Sequence, residues 1–455
     1  MKFKGIRLGH SRESGAVIRY RGQSHLLTIA PSRAGKGRDV LIPALLEWPY
    51  SAIVVDVKGE LSDVTSKQRS RFGEVKFSDP YGEVARYVKG ATSSQYNPMA
   101  RLDPKSIEFA AQAGKISAGL NPDEGQHHRF FSGGARGLCS GIQMGLVRHA
   151  QPHEKNLVAM RSVLTGEFQG GVDVFGFAQS IMQNSTDPIL RQLVARYAMP
   201  GARESRSLAD IISTADVNTQ FISDYAIAQS LSGSDFSFAD LKKEVTTVYV
   251  VLPMDYLEMS GYFALIVASA LSELLRGKRG IPVLILMDEF ALYPLKAIQT
   301  AFGNAAGFGV QLWPVLQDLN QIRCVEGWET FLSNAAVRMY FGPRDETTSL
   351  YLSGQCGQTE RRQISQSISY QDDTAQEEEL RRVGRDSDKR MTVPNINVSF
   401  GSVARQLLLP HETRELGGDE MLLFVEGVNG VIRANRRPYW EEPEFRGQYA
   451  PNPYF

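Results

Sequence analysis

The stretch HLLTIAPSRAGKGRDVLIP, residues 25–43, decides how the rest of the chain is read. A β-type run, LLTI at 26–29, leads into a turn holding Gly35 and Lys36, and a helix-like run follows. Strand, loop and helix in that order are the layout of a phosphate-binding loop, G-x-x-x-x-G-K-[ST]. Two positions depart from it. Ala30 stands where the first Gly belongs, and Gly37 stands where the magnesium-binding hydroxyl belongs. The chemistry of such a loop is mostly backbone: successive N–H groups and a helix N-terminus cradle phosphates, and one Lys adds charge. On that basis Pro31, Ser32, Arg33, Ala34, Gly35, Lys36, Gly37 and Arg38 form the candidate nucleotide-binding segment. Gly37 offers no side-chain ligand, so a bound Mg²⁺ would keep an extra water or take a ligand from elsewhere.

A Gly-Lys pair after a strand is a weak motif by itself, and a second site adds the weight. The run VLILMDEF at 283–290 reads as a buried strand that ends in Asp288 and Glu289. Two adjacent carboxylates at the end of an apolar strand are costly unless they do something. In phosphate-loop enzymes the Asp holds Mg²⁺ and the following Glu polarises the attacking water. The other reading is a surface turn carrying two acids. Gln317 closes the next apolar strand, VQLWPVLQ at 310–317. It is either a γ-phosphate contact or a polar cap on a strand end. Loop, Asp-Glu and Gln on successive strand tips is a more specific order than any one of them, because ligands of open α/β sheets sit at the carboxyl ends of strands.

The rhythm of the chain supports such a sheet. Apolar, β-branched runs occur as SAIVVDV at 51–57, TTVYVVLPM at 246–254, VLILMDEF, VQLWPVLQ and VRMYFG at 337–342, with helix-length segments between most of them. Continuous apolar strands alternating with helices predict an α/β fold with a mainly parallel central sheet. Residues 103–231 break the rhythm: they are rich in helix formers and contain little that reads as a strand. They are expected to form an inserted all-α domain, leaving 1–102 and 232–455 as the nucleotide-binding domain. Residues 358–403, with ISQSISYQ, an acidic cluster and RRVGRDSDKR, are expected to be a flexible loop or hairpin within that domain. MLLFVEG and GVIRANRRPYW after them read as two final strands.

Composition excludes several classes. The chain has 455 residues, 50 Lys plus Arg and 50 Asp plus Glu, so nucleic-acid binding would need a local patch or a ring assembly and not bulk charge. Cys139, Cys324 and Cys356 show neither a C-x-x-C pair nor zinc spacing, which points to single thiols in a reducing compartment. The apolar run at 262–271 falls far short of the roughly 20 residues of a membrane-spanning helix. His127 and His128 lack a third ligand in the sequence and read as polar helix residues. Asp56 and Lys58, in DVKGE at another strand end, either support the phosphate site or pair with each other.

With these residues in view, the chain resembles the type IV secretion coupling proteins, the TraG-type conjugative ATPases. The resemblance is carried by APSRAGKGRDVLIPALLEWP at 30–49, VVDVKGE at 54–60, SDP at 78–80, QYNP at 95–98, SLSGSDF at 230–236, TTVYVVLP at 246–253, LMDEFA at 286–291 and LLLPHE at 407–412. That family often places Gly after the loop Lys, so Gly37 matches a family habit.

The resemblance implies a RecA-like P-loop NTPase, a ring motor that binds ATP and Mg²⁺ at the interfaces of a homo-hexamer. It implies that the inserted helical domain meets the substrate, either DNA as a relaxase–DNA complex or a secreted protein. Hydrolysis would drive that substrate toward the components of a secretion channel. In this scheme Lys36 neutralises phosphate, Asp288 holds the metal, Glu289 activates water and Gln317 senses the γ-phosphate. Arg344 is the candidate for the cation that a neighbouring subunit supplies, with an ordinary surface arginine as the other reading. A weakly hydrolysing, nucleotide-dependent substrate adaptor is the alternative function. Family members usually begin with two transmembrane helices. The expectation here is a cytoplasmic chain with no membrane span of its own, acting at the inner-membrane face; a removed anchor and a partner-supplied anchor are the other two readings.

Overall fold

The computed structural model describes residues 4–122, 129–290, 295–372, 382–384 and 392–453. Its main sheet contains β1 (Ile6–Ser11), β2 (Val17–Tyr20), β3 (His25–Ile29), β4 (Ser51–Asp56), β5 (Glu74–Ser78), β6 (Thr246–Val251), β7 (Val283–Met287), β8 (Val310–Leu316) and β9 (Ala335–Tyr340). After a second unit the chain returns to it. With that unit's two strands counted as β10 (Gln358–Asp372) and β11 (Thr392–Gln406), the last two strands of the sheet are β12 (Glu420–Val425) and β13 (Ile432–Asn435). The order across the sheet is β2-β1-β13-β12-β9-β3-β8-β7-β4-β6-β5. From β9 to β5 every neighbouring pair is parallel. From β9 to β2 every pair is antiparallel. The mainly parallel α/β sheet is thus as expected. The sequence reading did not name β1, β2 or β5, whose short, partly charged runs carry too little apolar pattern.

Burial explains the order. All residues of β4, β7 and β8 are buried, as in a sheet covered on both faces. The main core runs through Leu26 on β3, Val54 on β4, Leu284 and Leu286 on β7, Trp313 and Val315 on β8 and Met339 on β9, and through Leu41 and Leu45 beyond the loop. Trp313, fully buried, donates its indole N–H to the Thr28 hydroxyl at 2.9 Å, so the largest core side chain leaves no polar atom unpaired.

Between β5 and β6 the described elements are helical apart from two isolated bridges, Phe77 to Ser93 and Phe168 to Val172. The helices between β3 and β5 are α1 (Ile42–Glu47) and α2 (Glu60–Arg69); those between β5 and β6 are α3 (Phe109–Leu120), α4 (Arg129–His149), α5 (Leu157–Thr165), α6 (Val174–Asn184), α7 (Pro188–Ala198), α8 (Arg206–Thr219) and α9 (Tyr225–Ser230). The long α4 is the hub, touching α3, α5, α7 and α8. Its glycines make this possible: a Cβ on Gly134 would lie 2.7 Å from Ile211, and one on Gly141 2.9 Å from Val194. The side chains of Asn156, Asp173, Asp187 and Asp224 cap the helices that follow them. The apolar run at 262–271 lies in α10 (Gly261–Leu274), and among the described residues no helix is long and apolar enough to cross a membrane.

Residues 344–415 form a second compact unit. It contains a helix, Glu346–Gln355, then β10 and β11 paired along their whole length as an antiparallel ribbon, and a short helix, Pro410–Arg414. Of residues 358–403, expected from the sequence to be a loop or hairpin, 358–372 and 392–403 belong to this ribbon. The alternation is present but faint: Ile364 pairs with Phe400, Gln366 with Val398 and Ile368 with Ile396, while Ser and Asn fill the alternate positions.

Candidate nucleotide-binding site

The loop between β3 and α1 is built by backbone geometry. Arg33 and Gly35 take left-handed conformations, with φ of 61° and 87°. At Gly35 a side chain is also excluded by space, since a Cβ there would lie 2.7 Å from the Asp39 carboxylate. One wide helical turn, Gly37–Leu41, follows, in which the Ile42 N–H reaches the Gly37 carbonyl five residues back. Such widened turns recur at functional sites. Pro31 and Lys36 are buried, Ser32 and Arg33 are exposed, and Ala34, Gly35, Gly37 and Arg38 are half-buried.

Lys36 points at the tip of β7. Its Nζ lies 2.7 Å from Asp288 Oδ1 and 3.1 Å from Glu289 Oε1. From the tip of β8, Gln317 Nε2 donates to Glu289 Oε2 at 2.8 Å. Lys36, Asp288, Glu289 and Gln317, drawn from three strand ends, therefore form one contact cluster. Burial works against the Lys36 charge, but the two carboxylates outweigh it and hold the ammonium above its ordinary pKa. Burial likewise raises Glu289, yet the Lys36 charge and the hydrogen bonds from Gln317 and Lys36 win, holding the carboxyl below its ordinary value, with a smaller contribution from the Lys58 charge. Glu289 sits at φ 53°, a left-handed conformation uncommon outside Gly, Asn and Asp. Strain of that kind clusters at functional sites.

Asp56 organises the chain as it leaves β4. The Asp56 carboxylate is buried and accepts the backbone N–H of Ser62 at 2.8 Å and of Lys58 at 3.3 Å, fixing the turn into α2. Burial, and after it the charges of Asp288 and Glu60, raise its pKa to about 7. Behind it Asp63 is 3% exposed with neither carboxyl oxygen hydrogen-bonded, and burial beside Asp56 and Asp79 raises it to about 8. The sequence reading did not name Asp63, nor the support behind the loop. Arg436, just past β13, donates from Nη1 to the Ala34 carbonyl at 2.6 Å and to Asp39 Oδ2 at 2.7 Å. Its Nε reaches the Glu420 carbonyl at 3.1 Å, and its guanidinium lies 4.1 Å from the centre of the Phe341 ring. Some 400 residues of chain separate Arg436 from the loop it braces, so no local pattern signals it.

Arg344 is exposed and opens the second unit. His127 and His128 lie outside the described residues, as does Ala291 of the LMDEFA motif. Among the described residues no group of three or more His, Cys, Asp or Glu side chains is arranged to hold a metal ion by itself. Cys139 and Cys356 are buried and Cys324 is exposed, all as free thiols.

A parallel sheet with the loop, the acidic pair and the glutamine at adjacent strand ends defines the RecA-like P-loop class, and solved structures agree on the fold. The unbound form of the bacterial conjugative coupling protein TrwBdeltaN70 superposes with a TM-score of 0.66 at 13% identity, covering 96% of this chain and 90% of that one. The plasmid coupling protein TrwB in complex with ADP and Mg²⁺ gives 0.65 at 13% identity, over 96% and 89%. The model of the family Type IV secretory system Conjugative DNA transfer matches residues 4–453, and the chain belongs to that family. It is 28% identical to Protein VirD4 of Rhizobium radiobacter over 91% of this chain and 56% of that protein. It is 24% identical to the conjugal transfer protein TraG of Escherichia coli over 95% and 70%. The chain thus spans little more than half the length of the VirD4 relatives it matches.

Proposed function

We propose that the chain is an ATP-hydrolysing coupling protein that drives DNA, as a relaxase–DNA complex, or a protein substrate toward a type IV secretion channel. The observation that carries the reading is the joining of Lys36, Asp288, Glu289 and Gln317 in one cluster. The donors suit the implied ligands. A lysine at a loop of turned backbone fits phosphate, and the hard oxygens of Asp288 fit Mg²⁺, which takes one or two carboxylates and completes its shell with phosphate and water. A bound Mg²⁺ would neutralise charge on the phosphates. The TrwB structures with ADP and Mg²⁺ support the same ligands here.

The division of labour follows. Phosphate draws Lys36 away from Asp288 and Glu289. Asp288 is then available to the metal, and Glu289, still held by Gln317, is placed to orient and deprotonate a water. Arg344, exposed, is proposed as the cation a neighbouring subunit of a hexamer lends to the transferring phosphoryl group. Residues 1–102 with 232–455 are proposed as the motor and 103–231 as the substrate-facing domain, with the ribbon unit between β9 and β12 set into the motor sequence. The working place would be the cytoplasm at the inner-membrane face. Phosphate release by the purified chain, with and without single-stranded DNA, tests the reading. Turnover stimulated by DNA supports it. Tight nucleotide binding with no turnover under either condition replaces it with the adaptor function.

A further inference from the structure

Gly37 leaves the loop without the hydroxyl that ordinarily meets the metal. The direction in which that hydroxyl would point is nevertheless defined, because a Cβ can be placed on the Gly37 backbone. Beyond its own turn and chain neighbours, the three heavy atoms nearest to it all belong to the carboxyl group of Glu60: Oε2 at 3.7 Å, Cδ at 3.9 Å and Oε1 at 3.9 Å. The side chain that residue 37 lacks would therefore face the Glu60 carboxylate.

Glu60 is brought there by its own local structure. The chain leaves β4 at Asp56, turns through Gly59 at φ 75°, and Glu60 is the first residue of α2. Asn452, near the far end of the sequence, donates its Nδ2 to Glu60 Oε1 at 2.8 Å. Oε2 is then the oxygen nearest the loop. The charges of Asp288 and Glu60 are both felt at the carboxyl of Asp56. Loop and acid complement each other, one having lost an oxygen and the other supplying one.

We propose that Glu60 takes the place of the missing loop hydroxyl as an oxygen ligand, direct or through one water, of the Mg²⁺ that accompanies the nucleotide. The inference rests on the nucleotide reading of Lys36 and Asp288 and deepens it. Glu60 and Asp288 with phosphate oxygens and water make up the shell Mg²⁺ prefers. The exchange of a neutral hydroxyl for a carboxylate has a signature. Without metal, a negative charge beside the phosphates opposes binding; with metal, it assists. A role confined to the start of α2 or to the Asn452 contact would give no such opposition of signs.

The test is titration of wild type and Glu60→Gln with a fluorescent N-methylanthraniloyl-ADP, first in EDTA and then across a MgCl₂ series, with melting temperatures run in parallel. Glu60→Gln is expected to bind the nucleotide in EDTA as tightly as wild type or more tightly. Its half-maximal Mg²⁺ concentration is expected to rise about tenfold, as for other outer partners of metal sites. Gly37→Ser in the same chain is expected to return the Mg²⁺ requirement toward wild type, since the nearest atom to the new Cβ is at ordinary contact distance. Should Glu60→Gln fold poorly, Glu60→Asp keeps the charge, withdraws the oxygen and should give a smaller shift in the same direction. An unchanged Mg²⁺ requirement, equal weakening in EDTA and Mg²⁺, or no recovery with Gly37→Ser overturns the proposal. A wild-type chain that binds no nucleotide removes the site itself, and Glu60's role with it.

Discussion

Replacing Glu289 by Gln separates binding from chemistry more cleanly than any other change at the strand tips. The carboxylate holds two contacts, Lys36 at 3.1 Å and Gln317 at 2.8 Å, and keeps a pKa below its ordinary value. It is thus fully ionised at neutral pH, ready to take a proton. An amide of the same shape removes that capacity. Loss of a general base costs on the order of 10²–10⁴ in rate, which is about 3–5 kcal/mol of barrier at 1.36 kcal/mol per factor of ten. Binding should move the other way or not at all. Lys36 loses one of two carboxylates competing with phosphate, and Asp288 at 2.7 Å keeps it in place. Nucleotide affinity is therefore expected to stay within a few-fold of wild type or to tighten. Steady-state phosphate release and fluorescent-nucleotide titration on the same preparation give both numbers. A Glu289→Gln chain that turns over at the wild-type rate would refute the assignment of the base. A chain that loses turnover and binding together would show Glu289 to be structural.

Three other outcomes follow from the geometry. Arg436→Gln removes the brace behind the loop; breaking a buried charged pair costs about 3–5 kcal/mol, and the low end applies because Arg38 still holds Asp39 at 2.5 Å, so urea denaturation should show a loss near 3 kcal/mol together with weakened nucleotide binding. Asp56 and Asp63 have folded pKa values raised to about 7 and about 8, so between about pH 4 and those values the folded chain holds protons that the unfolded chain has released; the stability they contribute is lost progressively as pH rises from about 4 to about 8, and Asp63→Asn should flatten the part of that slope between pH 6.5 and 8 in thermal melts. His25, lowered to about 4 by burial, gives the opposite slope below pH 6.5 and does not intrude on that window. Exchanging residues 103–231 for the equivalent region of a related motor should leave basal ATPase intact and transfer substrate preference to the donor; preference that stays with the recipient would end the assignment of that domain.

The motor strands were legible because parallel strands buried on both faces are continuous apolar runs: β4, β6, β7, β8 and β9 all lie where the sequence shows them. The site was legible for the same reason, since Asp288, Glu289 and Gln317 are the first polar residues after such runs and must stand at strand tips. What stayed hidden was of two kinds. Strands β1, β2 and β5 and the ribbon carry short or mixed polar patterns, with charged residues such as Arg7, Arg19, Glu74 and Lys76 set among the apolar ones. Long-range support was also hidden. Arg436 on Ala34 and Asn452 on Glu60 join residues about 400 apart, and only the folded chain shows that the C-terminal segment closes over the loop.

The central claim is that phosphate binds where Lys36 now holds two carboxylates, and equilibrium titration with a fluorescent ATP analogue in Mg²⁺ tests it most directly. The buried ammonium is the cationic member of that cluster, so its removal takes away the main partner of the phosphate charge and leaves Asp288 and Glu289 to repel what remains. The account predicts saturable binding by the wild-type chain and at least a tenfold loss of affinity in Lys36→Ala, in a protein whose melting curve stays cooperative. Unchanged affinity in that variant would contradict the account.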